Sequence, residues 1–229
     1  MTRLLLVSLT VASLAIATPA RAQLCTGSAS FAQRPVQLSL GTAFNTDAKS
    51  FGGGFGVGGS AMFLQLTAGT TSYDAFDASS FDLGVGAGFQ LPLDRDGIGH
   101  ICPLVSVTHS SGPNDVTVGS QTLDLSQNVV AVGIGVGAVA SGSSPTKIIP
   151  SASFAVLSTK ATSKDKFSAQ STTSSETLGL LEFGVGFLFS EAFSLRPNVA
   201  HAFGIDQSST TFGVSMSVNF GRRSSRPKP

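Results

Sequence analysis

Thr211-Phe212-Gly213-Val214-Ser215-Met216-Ser217-Val218-Asn219-Phe220 alternates without a fault between large apolar and small polar residues. A β-strand sends successive side chains to opposite faces, so this stretch has one greasy face and one small, polar face. The rhythm recurs nearly ten times from Arg34 onward. In the segment around Asp82, Phe81, Leu83, Val85, Ala87, Phe89 and Leu91 fall on one side. Asp82, Gly84, Gly86, Gly88 and Gln90 fall on the other. Turn signals divide the chain into about ten strands, at 34–44, 51–60, 62–73, 81–92, 101–110, 127–140, 147–159, 176–189, 193–204 and 209–220. Most reach the ~9–11 residues that cross hydrocarbon at a tilt. The reading is all-β: a closed antiparallel up-and-down transmembrane β-barrel of about ten strands, with eight as the alternative.

The first residues form a processing segment. Arg3 is a positive n-region, Leu4–Ala17 an apolar stretch too short to span a bilayer, and Ala20-Arg21-Ala22 a cleavage site. The chain then divides into a cleaved signal (1–22), a periplasmic segment (23–33), a barrel (34–220) and a basic, disordered tail (221–229) containing Arg222, Arg223, Arg226 and Lys228.

Charged residues make up 12% of the chain, about half the ~25% of soluble domains. Fourteen basic and thirteen acidic residues become a net charge of −1 once Arg3 and Arg21 are lost, which excludes the basic face of a nucleic-acid binder. Such scarce charge suits a lipid-facing exterior. The Gly-x-Gly runs alternate inside strands, with no following helix, so they are not phosphate loops. No histidine cluster stands at ligand spacing, and neither cofactor nor metal is expected.

If the first strand begins in the periplasm, odd-numbered connections lie outside and even ones inside. The two longest, 111–126 and 160–175, are both odd. Their Ser, Thr, Asp and Lys content predicts mobile hydrated loops, a place for an extracellular ligand of unspecified chemistry. The same topology puts Cys25 and Cys102 together at the periplasmic rim. A disulfide is expected there, in the oxidising compartment beyond an export signal.

These features resemble the outer-membrane β-barrel domains of the OmpA/OmpX-like superfamily of diderm bacteria. The likeness rests on the export signal, the repeated Gly-x-Gly strands and, above all, the closing strand. It implies a bacterial outer-membrane location, with membrane lipid and the assembly machinery as partners. It also implies an insertion signal formed by Val214, Met216, Val218 and Phe220. The interfacial girdles are read as phenylalanine, since the chain has no Trp and one Tyr. Phe44, Phe51, Phe81, Phe203 and Phe212 fall near the outer rim, and Phe89, Phe189, Phe193 and Phe220 near the inner one.

Catalytic candidates are few. His109 and Ser111 are two apart on the lipid face near the outer rim, a spacing similar to that of lipid A deacylases. No partnering Glu can be placed, although Asp115 and Asp124 lie in the adjoining loop. The chain is therefore read as non-enzymatic, with no catalytic residue assigned. His201 and Asp206 approach the outer end as a rim histidine and a turn aspartate, and His100 is expected in a solvated periplasmic turn.

Gln37, Asp82, Gln90, Glu182, Arg196 and Asn198 are expected to face the lumen. The hairpin turn at 190–192 is taken to set residue 196 opposite 188, too far from Glu182 for a direct salt bridge. Inward residues are otherwise expected to be small, with few bulky enough to plug the cylinder. The resulting function is a structural or surface-interaction barrel. A small-solute channel is second and a lipid-modifying esterase or deacylase third.

Overall fold

The computed structural model describes residues 25, 27–28, 34–74, 78–93, 98–118, 121–140, 146–168, 170–190, 192–204 and 208–221. Ten principal strands follow in order: β1 Val36–Phe44, β2 Ala48–Gly58, β3 Met62–Tyr73, β4 Ala78–Phe89 and β5 Gly99–Ser111, then β6 Gln121–Ala138, β7 Lys147–Asp165, β8 Ser171–Leu188, β9 Phe193–Phe203 and β10 Ser208–Phe220. Two short pieces accompany them. Leu91–Pro92 extends β4 against β5, and Val116–Val118 pairs with the start of β6. The signal segment, the basic tail and Asp206 lie outside the described residues, as does most of 23–33.

Each strand pairs antiparallel with its neighbour in sequence, and β1 pairs with β10 from Val36↔Phe220 to Phe44↔Phe212, closing the ring. The ring has ten strands, not eight. Lateral partners from Val36 run through Val57, Leu64, Ala87, Val105, Val132, Val156, Gly179, Phe203 and Ser208. They return to the line of β1 twelve residues further on. That stagger, with ten strands, implies a tilt of about 40° and a backbone radius of roughly 10 Å.

The pleat sorts the side chains. Leu38, Leu40, Leu64, Leu66, Leu83, Val85, Val105, Val132, Ile134, Val156, Phe183, Val214 and Met216 are exposed on the outside. A soluble protein would not survive such a surface, because contiguous apolar patches of this extent drive association. In hydrocarbon the same surface carries no penalty. Phenylalanines mark the belt's edges: Phe44 stacks on Phe212 at 6.1 Å and Phe189 on Phe193 at 5.7 Å.

The lumen departs from expectation. Its β6–β8 side is filled by Val129, Ala131, Ala155, Leu157, Leu178 and Leu180. At the periplasmic end Phe63 and Leu104 pack around Cys25 and Cys102. At the outer end Ala48, Tyr73, Val116, Leu123, Leu125 and Ala161 form a third apolar cluster. Bulky inward residues are therefore not few. The small inner residues concentrate on the opposite wall, where Gly52, Ser39, Thr67 and Ser215 leave space.

Replacing Val132, 61% exposed on the outside of β6, by Arg places a charge in the apolar belt. An equilibrium denaturant titration in lipid vesicles is expected to show a loss of about 2–4 kcal/mol. Unchanged stability would put Val132 outside the hydrocarbon.

Candidate functional site

Strand parity carries every predicted lumen residue inward. Gln37, Asp82, Gln90, Glu182 and Arg196 are all buried, and Asn198 joins them through its partner. Gln37 Nε2 donates to Asn219 Oδ1 at 3.1 Å, bolting the inner side of the β1–β10 seam. One row along, the Ser194 and Ser217 hydroxyls meet at 2.7 Å.

Glu182 and Arg196 form a direct salt bridge, Arg196 Nη2 to Glu182 Oε1 at 2.8 Å, with both side chains buried. This corrects the expectation from the hairpin. Phe187 pairs with Leu195 and Gly184 with Asn198, a register that sets residue 196 opposite residue 186, two nearer Glu182 than assumed. The guanidinium also lies where a Cβ on Gly184 would stand. The missing side chain at 184 thus opens the channel along which Arg196 reaches its partner. Asn198 Nδ2 donates to the same Glu182 oxygen at 3.1 Å, and Arg196 Nη2 contacts Ser151 Oγ at 3.4 Å. A buried charge pair needs this kind of support, because desolvation would otherwise outweigh its attraction. Ser151 carries no local sequence signal, since seryl residues fill inward positions throughout.

Beside this network lies a cavity of about 110 Å³, lined by Ser39, Ser50, Gln65, Thr67, Glu182, Arg196, Asn198 and Thr211 among others. Its lining mixes these polar groups with apolar ones such as Leu180, Ala200 and Ala202, and it is roomy enough for several waters.

The Cys25–Cys102 disulfide is formed, and both residues are buried. Its setting was not anticipated. Cys25 stands against Gly135 on β6, and Gly27 presses on Gly186 of β8 and Arg196 of β9. Cys25 and Gly27 therefore lie along the inner wall at the periplasmic end, between the β5–β6 and the β8–β9 strands, as a short strap. Only glycine fits at 186, where the Gly27 backbone occupies the Cβ position. His100 belongs to β5, pairs with Gly137 and is half-buried, so it does not sit in a solvated turn.

Connections 111–126 and 160–175 are mostly strand. β6 starts at Gln121, β7 runs to Asp165 and β8 begins at Ser171. Thr-rich sequence suits a pleated ribbon as well as a hydrated loop, and composition alone does not separate the two. Thr162 and Thr173 face each other across the ladder with hydroxyls 3.4 Å apart. The Asp165 carboxylate accepts the N–H groups of Phe167 and Ser168 at the tip. Lys166 reaches Asp115 and Asp124, tying the ribbon to the β5–β6 connection. That connection turns inward at Gly112, whose φ of +97° suits glycine. It delivers Pro113 and Val116 into the mouth, both buried.

His109 and Ser111 point outward on β5, both exposed. His109 Nδ1 is bonded to Asn128 Oδ1 at 2.9 Å, not to a carboxylate. His201 Nδ1 similarly meets Thr210 Oγ1 at 2.9 Å. Of the closing strand, Phe212, Val214, Met216 and Phe220 are exposed and Val218 half-buried, all on the outer face.

No family model and no curated protein matches the sequence. Among solved structures the chain is similar to Ail, the attachment invasion locus protein of Yersinia pestis, with 12% identity, coverage of 82% of this chain and 99% of that one, and a TM-score of 0.43. It is similar to Neisserial surface protein A (13%, 81% and 96%, TM-score 0.40). It is also similar to the outer membrane protease OmpT of Escherichia coli (6%, 82% and 94%, TM-score 0.45).

Two outcomes follow from this geometry. Arg196→Met leaves Glu182 buried and uncompensated, and a denaturant titration is expected to show a loss of about 3–5 kcal/mol, largely recovered in the Glu182→Gln/Arg196→Met double variant. A double variant as unstable as the single one would deny the coupling. At the ribbon tip, hydrogen bonds from the Phe167 and then the Ser168 N–H hold the Asp165 carboxyl below the ordinary carboxylate value. Its contribution is complete above the unfolded pKa of ~3.9 and is lost as pH falls through the lower folded one. Amide exchange at Phe167 and Ser168 should therefore stay slow down to about pH 4 and quicken below it, whereas in Asp165→Ala it is quick throughout.

Proposed function

We propose that this protein is a non-enzymatic barrel of a bacterial outer membrane that displays a rigid β-ribbon at the cell surface. An apolar exterior closed into a ring is stable only in lipid, and an exported chain that crosses by strands belongs to the outer membrane. The observation that carries the surface role is the unequal length of the strands. β6, β7 and β8 have 18, 19 and 18 residues, against 9 to 13 in the other principal strands. β7 and β8 pair from Ser171↔Lys164, yet β8 meets β9 only from Gly179↔Phe203. The excess projects from the end where the odd connections lie, with Ser171–Ser175 exposed.

Its hydroxyl-rich surface and its pinning by Lys166 favour recognition of an extracellular partner by a preorganised sheet, whose ordering cost is met on folding. A hydrolytic reading has less support, because the hydrogen-bond partner of His109 is an amide.

A gated path for water or small solutes is the second reading, favoured by the cavity beside Glu182 and Arg196. The strap at Cys25–Gly27 and the apolar cluster under the outer mouth oppose free passage.

Cysteine placed at Phe167, 83% exposed at the tip, should react with an impermeant maleimide on intact cells. Reaction only after the outer membrane is breached would turn the ribbon inward and remove the surface role. In planar bilayers the oxidised protein is expected to show no steady unitary conductance. Stable openings would promote the channel reading, and openings that appear only on reduction would identify the strap as the gate.

A further inference from the structure

Three neighbouring strands bring together side chains whose hydrogen bonding is incomplete. Asp82 on β4 is the register partner of Ser110 on β5, and Ser110 is the register partner of Gln127 on β6. All three face inward and are 1–2% exposed. Thr71 Oγ1 donates to Asp82 Oδ2 at 3.0 Å, and Ser50 Oγ donates to Thr71 Oγ1 at 3.2 Å. Asp82 Oδ1, the Ser110 hydroxyl and both polar atoms of the Gln127 amide have no partner. Ser80 and Ser110 both approach the Asp82 carboxylate. Native interiors rarely leave even one such atom without a well-formed hydrogen bond, and here four lie on three neighbouring strands, with Ser110 near enough to the Asp82 carboxylate to interact with it.

Charge sharpens the point. Among the described residues no Lys or Arg pairs with Asp82. The inward Arg196 is engaged by Glu182, and the nearby His109 lies on the outer face, bonded to Asn128. Ala48, Tyr73 and Leu125 lie just outward of Ser50, Thr71 and Gln127, and with Ala161, level with Gln127 on β7, they cover the site from the extracellular side. On the other side Ser50 also lines the cavity beside Glu182 and Arg196, so the chain Ser50–Thr71–Asp82 leads into the site.

Water alone would satisfy the hydrogen bonds and leave the charge uncompensated in a low-dielectric setting. A cation answers the charge together with the three unpartnered oxygens, Asp82 Oδ1, Ser110 Oγ and Gln127 Oε1, and leaves the Gln127 Nε2–H group to a water. These ligand atoms are all oxygen, which selects a hard ion, and the site holds a single carboxylate, which matches one positive charge better than two. We propose that Asp82, Ser110 and Gln127 form an internal binding site for a largely dehydrated monovalent alkali cation, with Thr71 fixing the carboxylate. The site is independent of the ribbon and of any conductance.

The test uses the full mature chain refolded in detergent, with thermal midpoints read from heat-modifiable migration and circular dichroism. Sodium, potassium and N-methylglucamine chlorides are compared at equal ionic strength. The midpoint is expected to be a few degrees higher in sodium or potassium than in N-methylglucamine, rising with concentration to a plateau, since a ligand held only by the folded state raises stability by mass action. Asp82→Asn and Gln127→Leu should lose that difference, while Glu182→Gln retains it. Equal midpoints for the unaltered protein in all three salts would overturn the proposal, as would an undiminished difference in Asp82→Asn. If Asp82→Asn does not fold, Ser110→Ala serves in its place, and an undiminished difference there counts equally against the site. Stabilisation by calcium with none by sodium or potassium would also refute the monovalent assignment.

Discussion

Closure of the hydrogen-bonded ring is the constraint on which everything else depends. Inside hydrocarbon no solvent is available to satisfy a strand's N–H and C=O groups, so an open edge would cost several kcal/mol per group. The pairing of Val36–Phe44 with Phe212–Phe220 removes that edge, and the Gln37–Asn219 bond reinforces it from within. Once the ring is closed, strand number and stagger set the radius, and the radius sets how much side chain the interior must hold. Parity is then no longer free: a one-residue slip would send Glu182 and Arg196 into lipid and Phe183 into the lumen.

The interior solves its packing problem in two ways at once. One wall is filled by aliphatic side chains from β6, β7 and β8, and the other is left to small residues beside a cavity. Between them stand the two charged centres. Glu182 has a cationic partner on the adjacent strand, held in place by Asn198 and by the gap at Gly184. Asp82 has only hydroxyls and an amide around it. The strap fastened by Cys25 lies near the first centre, and the apolar cap around Tyr73 and Leu125 covers the second. A barrel of this radius could hold an aqueous channel; here apolar side chains occupy one wall and leave a limited compartment of about 110 Å³.

The outer end shows how one sequence composition can serve two structures. Serine and threonine between 160 and 175 satisfy the description of a hydrated loop. They also carry the β-branched and small side chains of a two-stranded ribbon, and cross-strand contacts such as Thr162–Thr173 decide in favour of the ribbon. Lys166 adds a tertiary link from the tip to Asp115 and Asp124, a contact between segments about fifty residues apart that no local pattern announces.

Periodicity determined the number of strands, their two faces, the inward placement of Gln37, Asp82, Gln90, Glu182, Arg196 and Asn198, and the partnership of the two cysteines. These depend on the two-residue pleat and on which end of the cylinder a segment occupies, and both are local properties of the chain. Tertiary structure decided the rest. The exact register across the β8–β9 hairpin decided whether Arg196 reaches Glu182. The path of a short segment ahead of β1 decided that the disulfide anchors a strap against the inner wall beside Gly135 and Gly186. The ring's curvature decided that Asp82, Ser110 and Gln127 share one space. Each is a distance between side chains on different strands, fixed by stagger and closure, and a one-dimensional pattern carries no record of either.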